Sequence, residues 1–64
     1  MIRIGYEKTN GDQVVAGEFM TAPEANECMD QLILDTNDKD DIALYYYATV
    51  MGDNESRYGY IYPS

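Results

Sequence analysis

Apolar residues recur at helical spacing between residues 21 and 34, and at every second position on both sides of that stretch. This switch from period two to period 3.6 and back constrains the fold more than any other feature, because each period commits its segment to one kind of secondary structure. At the start, Ile2, Ile4 and Tyr6 alternate with Arg3, Gly5 and Glu7, the pattern of a half-buried strand. Thr9-Asn10-Gly11-Asp12 follows. Asn-Gly signals a type I′ hairpin turn, in which both central residues take positive φ. The returning strand is Val14 to Phe19, with Val15 and Phe19 expected on one face and Gly17 leaving room for a group to lie against the sheet.

Thr21-Ala22-Pro23-Glu24 then reads as a capping box, with Thr21 as N-cap, Glu24 at the third helical position and Pro23 in the tolerant first turn. Ala22, Ala25, Met29, Leu32 and Ile33 share a face flanked by Cys28, while Glu24, Glu27 and Gln31 lie opposite. The spacing predicts one amphipathic helix of about three turns, ending near Leu34. Asp35 is unfavourably placed for the dipole of that helix, a sign that acidity there serves something besides stability.

Four acids, Asp35, Asp38, Asp40 and Asp41, fall within the seven residues of the next connection. Ile42 to Met51, rich in tyrosine and β-branched residues, is the strongest strand signal in the chain. Gly52 to Ser56 reads as a hairpin loop and Arg57 to Tyr62 as the last strand, closed by Pro63. The order is ββαββ. Its compact solution is an α+β domain spanning residues 1–64, a four-stranded, mainly antiparallel sheet with one helix packed on one face.

Such a fold leaves one sheet face without a partner in the chain. Counting alternate residues from Ile42 puts Leu44, Tyr46, Ala48 and Val50 under the helix and sends Tyr45 and Tyr47 outward. With Ile61 and Gly59 inward, Tyr58, Tyr60 and Tyr62 join them on an uncovered tyrosine face. Tyrosine suits recognition surfaces because it is amphipathic and rigid. It equally stabilises a small sheet through cross-strand pairs, and both readings are open here.

Charge bounds the function. Twelve Asp/Glu stand against four Lys/Arg, a net charge of −8 on 64 residues. Such a surface repels nucleic acid and anionic membrane and attracts basic protein surfaces, although acidity also serves solubility. A chain of about this length buries only about 60% of the surface it exposes when unfolded. With one cysteine and no histidine, it has neither an internal disulfide nor a Cys/His zinc site to reinforce that thin core. The lone cysteine and the absence of a secretory apolar run suggest a reducing, cytoplasmic setting. Ile42 to Met51 is too short to span a bilayer.

Enzymatic chemistry finds no support. There is no histidine for acid–base work, Cys28 has no cationic neighbour at helical spacing and reads as a largely buried packing residue, and the glycines form no phosphate-cradling loop. A calcium loop starting at Asp35 fails at its fifth, sixth and twelfth positions, Lys39, Asp40 and Tyr46. The expectation is a non-enzymatic binding protein with no cofactor and no metal.

In size, acidity and ββαββ order the chain resembles the small phage-encoded anti-defence proteins, the anti-CRISPRs and other nucleic-acid mimics. The resemblance covers the whole chain but rests on no diagnostic motif. It implies an inhibitor in the host cytoplasm whose carboxylates imitate phosphates and occupy a basic nucleic-acid-binding surface of a host protein. The partner-binding residues would then be Asp35, Asp38, Asp40, Asp41, Asp53 and Glu55, with Tyr45, Tyr47, Tyr58 and Tyr60 as anchors. The alternative is a small structural or adaptor domain that dimerises, or binds another protein, through the tyrosine face.

Overall fold

A computed structural model describes residues 1–37 and 41–63. It contains β1 (Ile2–Lys8), β2 (Gln13–Phe19), α1 (Ala22–Thr36), β3 (Ile42–Met51) and β4 (Asn54–Ile61). The strands form one antiparallel sheet in the order β2-β1-β3-β4, with α1 on one face, so the ββαββ α+β architecture holds. The long helical connection lets β3 enter beside β1, placing the chain's first and strongest strands at the centre.

The turns differ from the expected types for reasons of backbone geometry. Gly11 has φ +96°, but Asn10 does not take positive φ, which excludes a type I′ turn. Instead the Gly11 amide donates to the Lys8 carbonyl (3.0 Å) and the Asn10 side chain accepts from the Asp12 amide (2.9 Å), so asparagine acts through its side chain. Between β3 and β4 the loop is only Gly52-Asp53, with Met51 paired to Asn54. Positive φ at Gly52 alone (+60°) is what a type II′ turn requires, and residues 54–56 belong to the strand rather than the loop.

The helix begins after Thr21, as predicted, and runs to Thr36, beyond Leu34. Thr21 is extended, and its carbonyl accepts from the Ala25 amide at 3.2 Å. Its hydroxyl donates to the Glu24 carboxylate (2.7 Å) instead of accepting a backbone N–H, so the box pairs side chain with side chain.

Ala25 and Met29 from α1 pack with Ile4, Ile42 and Tyr45 as the buried core, and Cys28, Leu32, Ile33, Ile2, Tyr6 and Phe19 close around it. Cys28 is half-buried, less enclosed than expected. The Phe19 ring occupies the space beside Gly17, 3.0 Å from where a Cβ would sit.

Candidate functional site

Bulges decide which side chains share a face. Lys8 pairs with Ile42 and Glu7 with Leu44, so Ala43 is an extra residue in β3. The bulge resets the alternation. Ile42 and Tyr45 both enter the core, and the expectation that Tyr45 and Tyr47 point away from the helix is overturned. Tyr45 is fully buried (0% exposed) and sits edge-on to Tyr6 at 6.1 Å between centroids. Its hydroxyl lies 2.8 Å from Thr36 Oγ1. Because the Thr36 hydroxyl already donates to the Leu32 carbonyl (2.7 Å), the Tyr45 hydroxyl is the donor of this bond.

Other bulges act the same way. In β2, Ile4 pairs with Gly17 and Gly5 with Val15, so Val15 lies on the opposite face from Phe19, 55% exposed. In β4 the register shifts opposite Tyr46, where Gly59 has φ +62°. Tyr58 consequently faces Tyr47 on the helix side, their rings stacked at 5.8 Å and 24°, instead of joining an outer tyrosine face.

The face away from the helix is built differently from the expected one. Tyr46 lies there, not under the helix, yet is only 1% exposed. Its ring crosses Gly5, where a Cβ would come within 2.7 Å of the hydroxyl, and the Arg57 guanidinium covers it at 4.0 Å from the centroid. Around this pair runs a polar lattice. Arg3 donates to Glu55, and to Glu18 at 3.4 Å; Arg57 donates to Glu55 at 3.0 Å and to Gln13 at 2.6 Å; Gln13 donates to Glu7 at 3.3 Å. Ala48, in register between Arg3 and Arg57, is small enough for both side chains to close above it. Hydrogen bonds from Arg57 and then Arg3 hold the Glu55 carboxyl below its usual pKa, and Glu55 in turn raises both guanidinium pKa values.

Among the described residues, those selected from the sequence therefore do not form one surface. Glu55 is engaged by two arginines. Asp53 occupies the β3–β4 turn, beside the N-terminal end of β1. Asp35 and Asp41 are exposed at the other end of the molecule, where the Thr9 amide donates to the Asp41 carbonyl (2.9 Å) and Asp35 accepts from Gln31 (3.1 Å). Asp38 and Asp40 lie outside the described residues. Tyr45 is core, Tyr47 is half-buried beside Tyr58, and the register shift at Gly59 puts Tyr60 (48% exposed), next to the inward Ile61, on the other side of the sheet from Tyr58 (44%).

Beside Asp35, the helix carries further exposed acids outside the set that the sequence marks as partner-binding. Glu24, Glu27 and Asp30 are exposed along α1, continuing to Asp35, and the helix contains no Lys or Arg. Their three-residue spacing was visible in the sequence; the engagement of both arginines on the opposite face was not. Beside this helix, between its first half and β4, lies an apolar hollow of about 230 Å³. Ile2, Ala22, Ala25, Asn26, Tyr47 and Tyr58 line it.

Among the described residues no three or more His, Cys, Asp or Glu side chains gather to hold a metal, and no helix is long and apolar enough to cross a membrane. Comparison with protein-family models, curated proteins and solved structures finds no match for this chain.

Proposed function

We propose that this protein is a non-enzymatic inhibitor that occupies a basic, nucleic-acid-binding surface of a host protein, in the manner of the nucleic-acid mimics it resembles. The observation that carries this reading is the segregation of charge. Both arginines are bound into the sheet face away from the helix, leaving Glu24, Glu27, Asp30 and Asp35 exposed on a helix without a basic residue. Glu24, Glu27 and Asp30 follow one another in three-residue steps, each rising about 4.5 Å along the axis, and with Asp35 five residues further on they present anionic charge of the kind that a phosphate-binding groove attracts. The following connection, with Asp38, Asp40 and Asp41, extends the acidic sequence.

The test starts with capture of a partner from bacterial lysate, with its own nucleic acid as competitor. Wild-type protein should displace that nucleic acid at low salt. Neutralising Glu24, Glu27, Asp30 and Asp35 to Gln or Asn should slow association strongly, with less effect near 0.5 M salt, where the Debye length falls to about 4 Å. The triple change at Asp38, Asp40 and Asp41 should act in the same direction. A partner that keeps its nucleic acid when saturated, or a quadruple variant that associates as fast as wild type at low salt, overturns mimicry.

A second reading is an adaptor domain that dimerises or binds a protein through β4. It is favoured by the unpaired edge of that strand and by exposed Tyr58, Tyr60 and Tyr62. Association through these tyrosines should persist as salt rises, which separates the two readings.

A further inference from the structure

The hollow beside the acidic helix combines three features. Its lining is apolar, from Ile2, Ala22 and Ala25, and it contains the stacked Tyr47–Tyr58 pair. Asp30, one turn beyond the lining residue Asn26, lies on the same side of the helix. We infer that the hollow receives an arginine side chain from the basic protein surface that the helix approaches, an inference that rests on the function proposed above.

Size favours a single side chain. At about 230 Å³ the hollow falls below the roughly 300–1,000 Å³ of clefts that enclose drug-sized ligands. Chemistry favours arginine within that class. Its aliphatic stem matches the Ile2 and alanine lining, and its planar guanidinium stacks on tyrosine faces, whereas the lysine ammonium is a compact and more strongly hydrated charge. The partly exposed Tyr58 ring offers such a face. The protein already uses this pairing internally, where Arg57 covers Tyr46. Asp30 supplies the complementary charge: burial is the larger cause of the raised Tyr47 pKa, and the field of Asp30 is the next. Gly59 contributes openness, since a Cβ there would sit 2.9 Å from the Tyr47 ring.

Two short peptides of equal charge, one with four arginines and one with four lysines in the same glycine–serine frame, separate the possibilities by ¹⁵N-resolved NMR titration at low salt. The arginine peptide should shift the amides of Ala22, Asn26, Tyr58 and Gly59 and bind about tenfold more tightly than the lysine peptide. Tyr58→Ala should remove that preference and Tyr58→Phe should keep it. Asp30→Asn should weaken arginine binding more than Asp35→Asn does, a comparison that holds even where Tyr58→Ala perturbs the fold. Equal binding of both peptides, or shifts confined to the outer acids and unchanged by Tyr58→Ala, overturns the arginine site while leaving the acidic reading intact. If neither peptide binds at low salt, both ideas fall.

Discussion

The guanidinium carbon of Arg57 lies 4.0 Å from the centroid of the Tyr46 ring, so an aromatic side chain on the sheet face opposite the helix is sealed by a cation from the neighbouring strand. A single helix cannot cover both faces of a sheet. Here the uncovered face makes its own lid from one tyrosine and two arginines held by Glu55, Glu18 and Gln13.

The lid makes Arg57 a stability determinant. Arg57→Ala removes a cation–π contact of about 0.5–1 kcal/mol and ion-pair contributions of about 0.2–1 kcal/mol. Thermal denaturation should show a fall in Tm of several degrees, since about 1 kcal/mol shifts a domain of this size by roughly 4–8 °C. Arg57→Lys should recover only part of it, because an ammonium neither stacks nor forks between Glu55 and Gln13.

Tyr45 and Tyr46 are buried on opposite faces, and both should be essential to folding. Each change to Ala should destabilise by about 3–5 kcal/mol in denaturant titration. Phenylalanine distinguishes them: Tyr45→Phe loses the bond to Thr36 and should cost about 1 kcal/mol, while Tyr46→Phe keeps the ring under Arg57. A Tyr45→Ala protein with wild-type stability would contradict the placement of this ring in the core.

Gly59 permits the bulge that turns Tyr58 toward Tyr47. Gly59→Ala combines positive φ (+62°) with a Cβ 2.9 Å from Tyr47 Cδ2, and should destabilise by about 1–2 kcal/mol or more. The same change at Gly11, also at positive φ (+96°) but with no neighbour within 4 Å of the added Cβ, should act through backbone conformation alone and cost less.

The Glu55 carboxyl gives a pH dependence with a definite sign. Its pKa is lowered in the folded protein, first by the hydrogen bond from Arg57 and then by that from Arg3. Its contribution is therefore fully present above the ordinary glutamate value of about 4.3 and is lost as pH falls through the lower folded value. The stability difference between wild type and Glu55→Gln should be constant from pH 7 to about 5 and shrink below about 4.3. Comparing the two proteins cancels the relief of repulsion among the other acids, and a difference that grows on acidification would contradict the pairing.

The sequence by itself determined the element order, the N-terminus of the helix at Thr21, its apolar face around Ala25 and Met29, and the acidity of its other side. Each depends on local periodicity or composition, which a chain carries without reference to distant residues. It did not determine which face of the sheet each tyrosine occupies. Side-chain alternation has a period of two, so one extra residue reverses every assignment beyond it. The bulge at Ala43 exists because β3 must register with β1, a strand more than thirty residues earlier, and the bulge beside Gly59 because β4 must register with β3. The pairing of Arg3 and Arg57 with Glu55 likewise forms only once the sheet brings three strands side by side. That pairing takes both arginines to one face and leaves the helix acids on the other, an asymmetry that net charge alone cannot express. Tertiary registration therefore decided where the tyrosines point and which carboxylates the arginines engage.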